Sequence, residues 1–250
     1  MRLPDRLLTK AITHRGLHDV TDGRPENSVE AIDAAIARGY GIEIDLQLSK
    51  DGVAMVFHDY HLGRLTGETG PVAQRTADEL ASIALTGGKA GIPTFAEVLA
   101  RVAGVVPLLI EIKDQDGEMG GNVGPLECAA AADLTDYRGD VAVMSFNPHA
   151  VIAFGEAAPD VPRGLVTSAF DPETWAPLPA SVCDHLRDIP DYDRTGASFI
   201  SHEGPDLARP RVAALKARGA HVLCWTIKSA TQEAEARKIA DNVTFEGYLA

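Results

Sequence analysis

Eight short apolar runs, separated for most of the chain by stretches of helical periodicity, follow one another through this sequence of 250 residues. They fall at Thr9–His14, Gly41–Leu48, Pro107–Lys113, Val141–Phe146, Gly164–Thr167, Ala197–Ser201, His221–Ile227 and Asn242–Tyr248. Helices are expected at Ser28–Arg38, Phe95–Ala103, Gly124–Thr135, His149–Ala157, Asp206–Arg218 and Thr231–Ala240. In the first of these Val29, Ile32 and Ile36 form a buried stripe and Gly39 ends it. Alternating strands and helices favour a parallel sheet. Eight strands at this length favour a (β/α)8 TIM barrel. An open doubly wound sheet normally carries a glycine-rich phosphate loop after its first strand, and none is present.

Two of the strands are chemically unusual. Ile42-Glu43-Ile44-Asp45-Leu46 and Leu109-Ile110-Glu111-Ile112-Lys113 place charges at a spacing of two inside apolar runs. On a strand that spacing puts Glu43 with Asp45, and Glu111 with Lys113, on one face. Charges there are costly unless something pairs with them. Three carboxylates and a lysine on neighbouring strands read as a hard-metal site beside a bound anion. Oxygen ligands select Mg²⁺, Ca²⁺ or Mn²⁺ over softer metals.

After the second strand, Lys50-Asp51-Gly52 reads as a hairpin turn with a return strand at Val53–His58. Residues 60–93 are too glycine-rich for a simple crossover. They read as a small insertion over the barrel mouth, with a short helix near Ala77–Ile83, inside a single domain spanning 1–250. His14-Arg15-Gly16 ends the first strand, on the face where barrel enzymes carry their catalytic loops. His58-Asp59 ends the return strand, and Pro25-Glu26-Asn27-Ser28 leads into the first helix with Asn27 or Ser28 as its cap.

At these motifs the chain resembles the glycerophosphodiester phosphodiesterase family. The resemblance runs on through Leu65-Thr66-Gly67, Ile92-Pro93-Thr94, Ser145-Phe146 and Trp225-Thr226, and covers nearly the whole chain. It implies a barrel enzyme that hydrolyses glycerophosphodiesters to glycerol 3-phosphate and an alcohol. By the same resemblance Glu43, Asp45 and Glu111 bind one divalent cation, Mg²⁺ or Ca²⁺. His14 and His58 become the acid–base pair, and Arg15 and Lys113 hold phosphate oxygens. The resemblance also suggests first attack by the glycerol 2-hydroxyl, giving a cyclic phosphate that water opens; direct attack by water would use the same residues. Trp225 is either core or a wall of the substrate pocket. The end of the chain departs from the family, which commonly closes with a glycine-aspartate strand followed by Thr-Asp-x-Pro; the corresponding segment here is Asp241–Ala250, in which Glu246 stands as a replacement for an acidic group of that strand.

A formal net charge of −13 argues against nucleic acid and acidic membrane surfaces as partners. A small anionic substrate needs only local positive charge. No apolar run approaches a membrane span, so stable membrane insertion is not expected. The first residues lack a secretory pattern, and Cys128, Cys183 and Cys224 read as reduced core thiols of a cytoplasmic protein. His149, His185, His202 and His221 read as surface or loop residues. Two rival functions are a phospholipase D-like activity on lysophospholipids and a catalytically silent binding module. The insertion has few large apolar groups, which disfavours the first. The second should have lost a histidine or a metal carboxylate, and none is missing.

Overall fold

β-Branched and leucine-rich runs form strands because they fit a pleated, buried surface. In the computed structural model, which describes residues 2–250, these runs become the staves of a closed barrel. In chain order the first elements are α1 (Asp5–Thr9), β1 (Ile12–Thr13), α2 (Val29–Arg38), β2 (Gly41–Leu48), β3 (Ala54–Val56) and α3 (Ala77–Ser82). Then come α4 (Phe95–Val102), β4 (Leu108–Ile112), α5 (Pro125–Leu134), β5 (Val141–Ser145), α6 (Pro148–Ala157) and β6 (Arg163–Thr167). The last are α7 (Ala180–Arg187), β7 (Phe199–Glu203), α8 (Pro210–Ala217), β8 (His221–Ile227), α9 (Ala230–Ala236) and β9 (Asn242–Phe245).

The barrel closes through β1, which pairs in parallel with both neighbours: Thr13 lies opposite Ile42 of β2 and opposite Phe245 of β9. Closure leaves the eight parallel strands with no open edge. β3 runs antiparallel on the far end of β2, Leu46 opposite Val56. The turn between them needs Gly52, whose φ is 83°.

Alternation decides what faces inward. Ile42, Ile44 and Leu46 of β2, with Leu108, Ile110 and Ile112 of β4, pack outward against the helices. Their neighbours Glu43, Asp45 and Glu111 therefore point into the barrel, with Asp45 directly opposite Glu111 in the register. Around and below them the interior is filled by Ile12, Leu109, Ala142, Met144, Val166, Phe199 and Leu223, with Met144 in register with Glu111. α2 is capped as its sequence suggests: Ser28 Oγ accepts from the Ala31 N–H, and Gly39 is left-handed at the other end.

Two helices and several side chains differ from the sequence expectation. α1 occupies Asp5–Thr9, so the first strand begins later than Thr9. It is too short to show a helical period, and it forms because Leu3 and Leu7 bury completely in the bottom of the barrel. Asn242 Nδ2 holds it there, donating to the carbonyls of Leu7 (2.8 Å) and Lys10 (2.6 Å). α7 lies in a proline-rich segment where the sequence reading places no helix, and only Cys183 and Leu186 of it are buried. Cys128 is exposed on α5 rather than in the core. His202 is fully buried, bonded to Thr167 Oγ1 at 2.8 Å, and His185 pairs with Asp191 at 2.8 Å. His202 is therefore not a surface histidine, whereas His185, 55 % exposed, is one as expected.

Residues 60–93 form α3 and short turns around an apolar cluster of their own, with Leu62, Val72, Leu80 and Ile92 packed on Met55 and Phe57. Among the described residues no helix is long and apolar enough to cross a membrane.

Candidate active site

β2 and β4 deliver the carboxylates. Glu43, Asp45 and Glu111 offer oxygens within 4.8 Å of one another, and their exposures are 1 %, 1 % and 7 %. Lys113 leaves the end of β4 and sets its Nζ 2.6 Å from Glu111 Oε1 and 3.2 Å from Asp45 Oδ1. Arg15 follows β1 in a left-handed conformation, φ 54°, that aims its own N–H at Glu43 Oε2, 2.8 Å away. Asn27, also left-handed at φ 58°, donates to Asp45 Oδ2 at 2.9 Å. Two such non-glycine residues in one site mark strain held by the surrounding structure. Ser28 is thus the helix cap, and Asn27 is tied to the carboxylate cluster.

The charges do not balance. Burial, and after it the anions Asp45 and Glu111, push the Glu43 carboxyl well above its ordinary range. Asp45 goes the other way: burial opposes its ionisation, but Lys113, His58 and Arg15 overcome that and hold it far below the usual carboxylate value. Burial would lower Lys113 too, yet Asp45 and Glu111 raise it above its usual value, so it stays an ammonium. Three buried carboxylates therefore share two cations, Lys113 and Arg15. An all-oxygen pocket with surplus negative charge is the chemistry that suits a hard divalent cation.

Each of the two histidines has a carboxylate behind it. His14 Nδ1 lies 2.6 Å from Glu246 Oε2, and His58 Nδ1 lies 2.7 Å from Asp59 Oδ1. An ionised carboxylate only accepts, so Nδ1 carries the hydrogen in both pairs. Nε2 is the nitrogen left for a ligand. Burial pushes His14 below the ordinary imidazole value in spite of Glu246. Hydrogen bonds from His14 and His18 in turn hold Glu246 far below the carboxylate range. The pair is thus neutral imidazole with ionised carboxylate. Behind these lies a network that ties the two sides together. Glu26 Oε1 accepts from Arg15 Nη1 and from Arg64 Nη2, both at 2.7 Å, and Arg64 also clasps Asp59 at 2.7 Å.

Seven of the eight residues singled out from the sequence, His14, Arg15, Glu43, His58, Glu111, Lys113 and Trp225, line one cavity of about 380 Å³ at the C-terminal end of the strands. Asp45 sits behind them. Trp225 is a pocket wall, its indole N–H donating to the Ser201 carbonyl at 3.0 Å. Glu246, Arg64 and Glu26 escape the sequence reading as working parts. Glu26 lies inside a motif, but its partner Arg64 is 38 residues away, and Glu246 is 232 residues from His14.

A profile of the glycerophosphoryl diester phosphodiesterase family matches residues 14–244. The chain belongs to this family. With the family comes the enzyme class, phosphoric diester hydrolase. Among curated relatives of this family member, the Bacillus subtilis protein YhdW is 27 % identical over 87 % of this chain and 86 % of its own. The glycerophosphodiester phosphodiesterase of Caldanaerobacter subterraneus is 30 % identical over 67 % of this chain and 70 % of that one. A phosphodiesterase from Oleispira antarctica, solved with the product sn-glycerol-3-phosphate, superposes with a TM-score of 0.75. It is 23 % identical, covering 98 % of this chain and 93 % of that one, and shares the fold.

Proposed function

We propose that this chain hydrolyses glycerophosphodiesters to glycerol 3-phosphate and an alcohol, by acid–base catalysis between His14 and His58. The observation that carries the reading is the pair of histidine–carboxylate couples, His14–Glu246 and His58–Asp59, facing one cavity across a carboxylate cluster. One imidazole Nε2 takes the proton of the attacking hydroxyl, and the other protonates the leaving oxygen. Arg15 and Lys113 hold the phosphate oxygens. Arg15 supports this role by lining the cavity, while its buried Nε faces Asp45 Oδ2 at 3.4 Å and its Nη1 is bonded to Glu26.

Glu43, Asp45 and Glu111 would hold one divalent cation, Mg²⁺ or Ca²⁺, and Trp225 would wall the substrate. When bound, the cation would offset negative charge building on the phosphate in the transition state. The attacking group is the diester's own 2-hydroxyl, so the first product is a cyclic phosphate that water opens. We assign the whole chain to one catalytic domain, with residues 60–93 flanking the mouth, and place it in a reducing cytoplasm, where its three cysteines stay free.

Product release from 2-deoxy and natural glycerophosphocholine tests the route. The 2-deoxy diester should be inert, and equal rates would exclude the cyclic phosphate. His14→Ala and His58→Ala should each lower kcat by about 10²–10⁴-fold, the usual worth of a general acid or base. A loss below threefold in either would remove that histidine from the chemistry.

A further inference from the structure

Three further donors line the catalytic cavity, and their chemistry differs from that of the carboxylate cluster. His14, His18 and Glu246 each offer an atom within 4.8 Å of the other two. His14 Nδ1 lies 2.6 Å, and His18 Nε2 3.4 Å, from the same Glu246 Oε2.

The closed barrel fixes the backbones that carry them. His14 N–H donates to the Phe245 carbonyl at 2.9 Å, and Glu246 N–H to that of Ile227 at 3.0 Å. Between the two histidines the chain turns through Arg15 and Gly16, both left-handed, with Gly16 at φ 77°. The turn sits tightly on α2: a Cβ on Gly16 would lie 2.9 Å from that of Ala31, and the Leu17 N–H donates to the Ala31 carbonyl at 3.0 Å. Two imidazoles four residues apart thus converge on a carboxylate 232 residues from the first.

Donor type decides what such a group takes. Two imidazole nitrogens and one carboxylate oxygen are a set that zinc accepts, with the fourth position left to water. Hard cations prefer the all-oxygen cluster of Glu43, Asp45 and Glu111. With zinc bonds of about 2.0–2.1 Å, tetrahedral donors stand about 3.3 Å apart. The His18 contact already has that length, and the His14 contact need only open slightly. Two cations stand nearby. Lys228 Nζ holds the other oxygen, Glu246 Oε1, at 2.9 Å, but its side chain is 64 % exposed and free to swing into water. Arg15 is turned towards Glu26 and Asp45.

We propose that His14, His18 and Glu246 form an inhibitory site for Zn²⁺, separate from the oxygen cluster. Coordination at His14 Nδ1 shifts the ring's one hydrogen from Nδ1 to Nε2. That nitrogen then has no lone pair for a substrate proton, and giving up its own hydrogen would leave an imidazolate. His14 is lost as base and as acid alike. The site stands on its own geometry, while its effect on rate rests on the role proposed above for His14.

Two titrations test this on protein saturated with Mg²⁺ or Ca²⁺. Zn²⁺ binding, read by competition with a chromophoric chelator, should weaken at least about tenfold in His18→Ala, since even loss of a group behind a ligand costs that much. His18→Gln serves the same purpose should the alanine variant not fold. Co²⁺ in place of Zn²⁺ should give the intense visible bands of tetrahedral coordination in the wild type and lose them in either variant. Zn²⁺ should also inhibit glycerophosphocholine hydrolysis, unrelieved by further Mg²⁺ or Ca²⁺. The inhibiting concentration should rise at least about tenfold in the His18 variants, each measured against its own zinc-free rate. Equal Zn²⁺ affinity in the wild type and the His18 variants would overturn the site. So would inhibition that excess Mg²⁺ or Ca²⁺ relieves equally in all of them, which would put zinc in the oxygen cluster. Zinc held through His18 with no loss of rate would overturn the inhibition. Should no protein cleave the diester, the phosphodiesterase reading fails separately, and the chelator and Co²⁺ titrations still decide the site.

Discussion

The smallest working unit of this site is a histidine with a carboxylate behind it. Glu246 raises the His14 pKa by hydrogen bond and by charge, although burial dominates and the net value lies low. Glu246→Gln should therefore keep the fold, lower kcat, and move the limb of the pH–rate profile that His14 controls to lower pH. A profile shifted upward, or unmoved, would show that Glu246 does not act through His14. A second histidine governs stability instead. His202 is buried against Thr167 Oγ1, with Asp206 and Arg209 nearby, and burial lowers its pKa below 6.5 despite Asp206. Its folded-state value being depressed, the unfolded chain takes up the proton first as pH falls. Its contribution is thus complete above pH 6.5 and is lost as the pH drops below that value, with a slope of at most about 1.4 kcal/mol per pH unit. Denaturation midpoints between neutral pH and pH 5 should fall more steeply for the wild type than for His202→Phe. Parallel curves would exclude His202 as the source. What the sequence could reveal at this scale were residues whose partners lie close by or whose misfit is local. Charges at period two in the apolar runs of β2 and β4 can only make sense facing inward together. The pairing of Glu246 could not be read, because its partner His14 follows β1 and is brought beside it only by barrel closure.

Elements show the same division. β2 and β4 are legible because each carries a complete period and a β-branched or leucine-rich face, and their register puts Asp45 opposite Glu111. α1 has no such signal, since five residues cannot display amphipathicity. Its existence depends on a hole that only the closed barrel creates. The plug has a measurable consequence. Leu7 is fully buried among barrel side chains, so Leu7→Ala should cost about 2–5 kcal/mol in urea unfolding. Because Leu7 lies at the end of the barrel opposite the active site, kcat of the folded variant should stay near wild type. A stability change below about 0.5 kcal/mol would mean that α1 docks without supporting the core.

At the scale of the molecule, a chain of net charge −13 gathers its useful positive charge in a few places. Lys113 and Arg15 stand over the carboxylate cluster, and Arg64 braces Glu26 and Asp59 behind it. A global field that repels anions leaves only a compact, locally neutralised pocket for a phosphodiester. With a divalent cation among its three buried carboxylates that pocket would carry one net positive charge, which a singly charged phosphodiester would offset, and the central claim stands or falls there. The deciding measurement is glycerol 3-phosphate release from glycerophosphoethanolamine with Mg²⁺, with Ca²⁺, and with EDTA. Release that EDTA abolishes and one of the two cations restores is the predicted result. Release untouched by EDTA would contradict the metal site, and no release with either cation would contradict the assigned reaction.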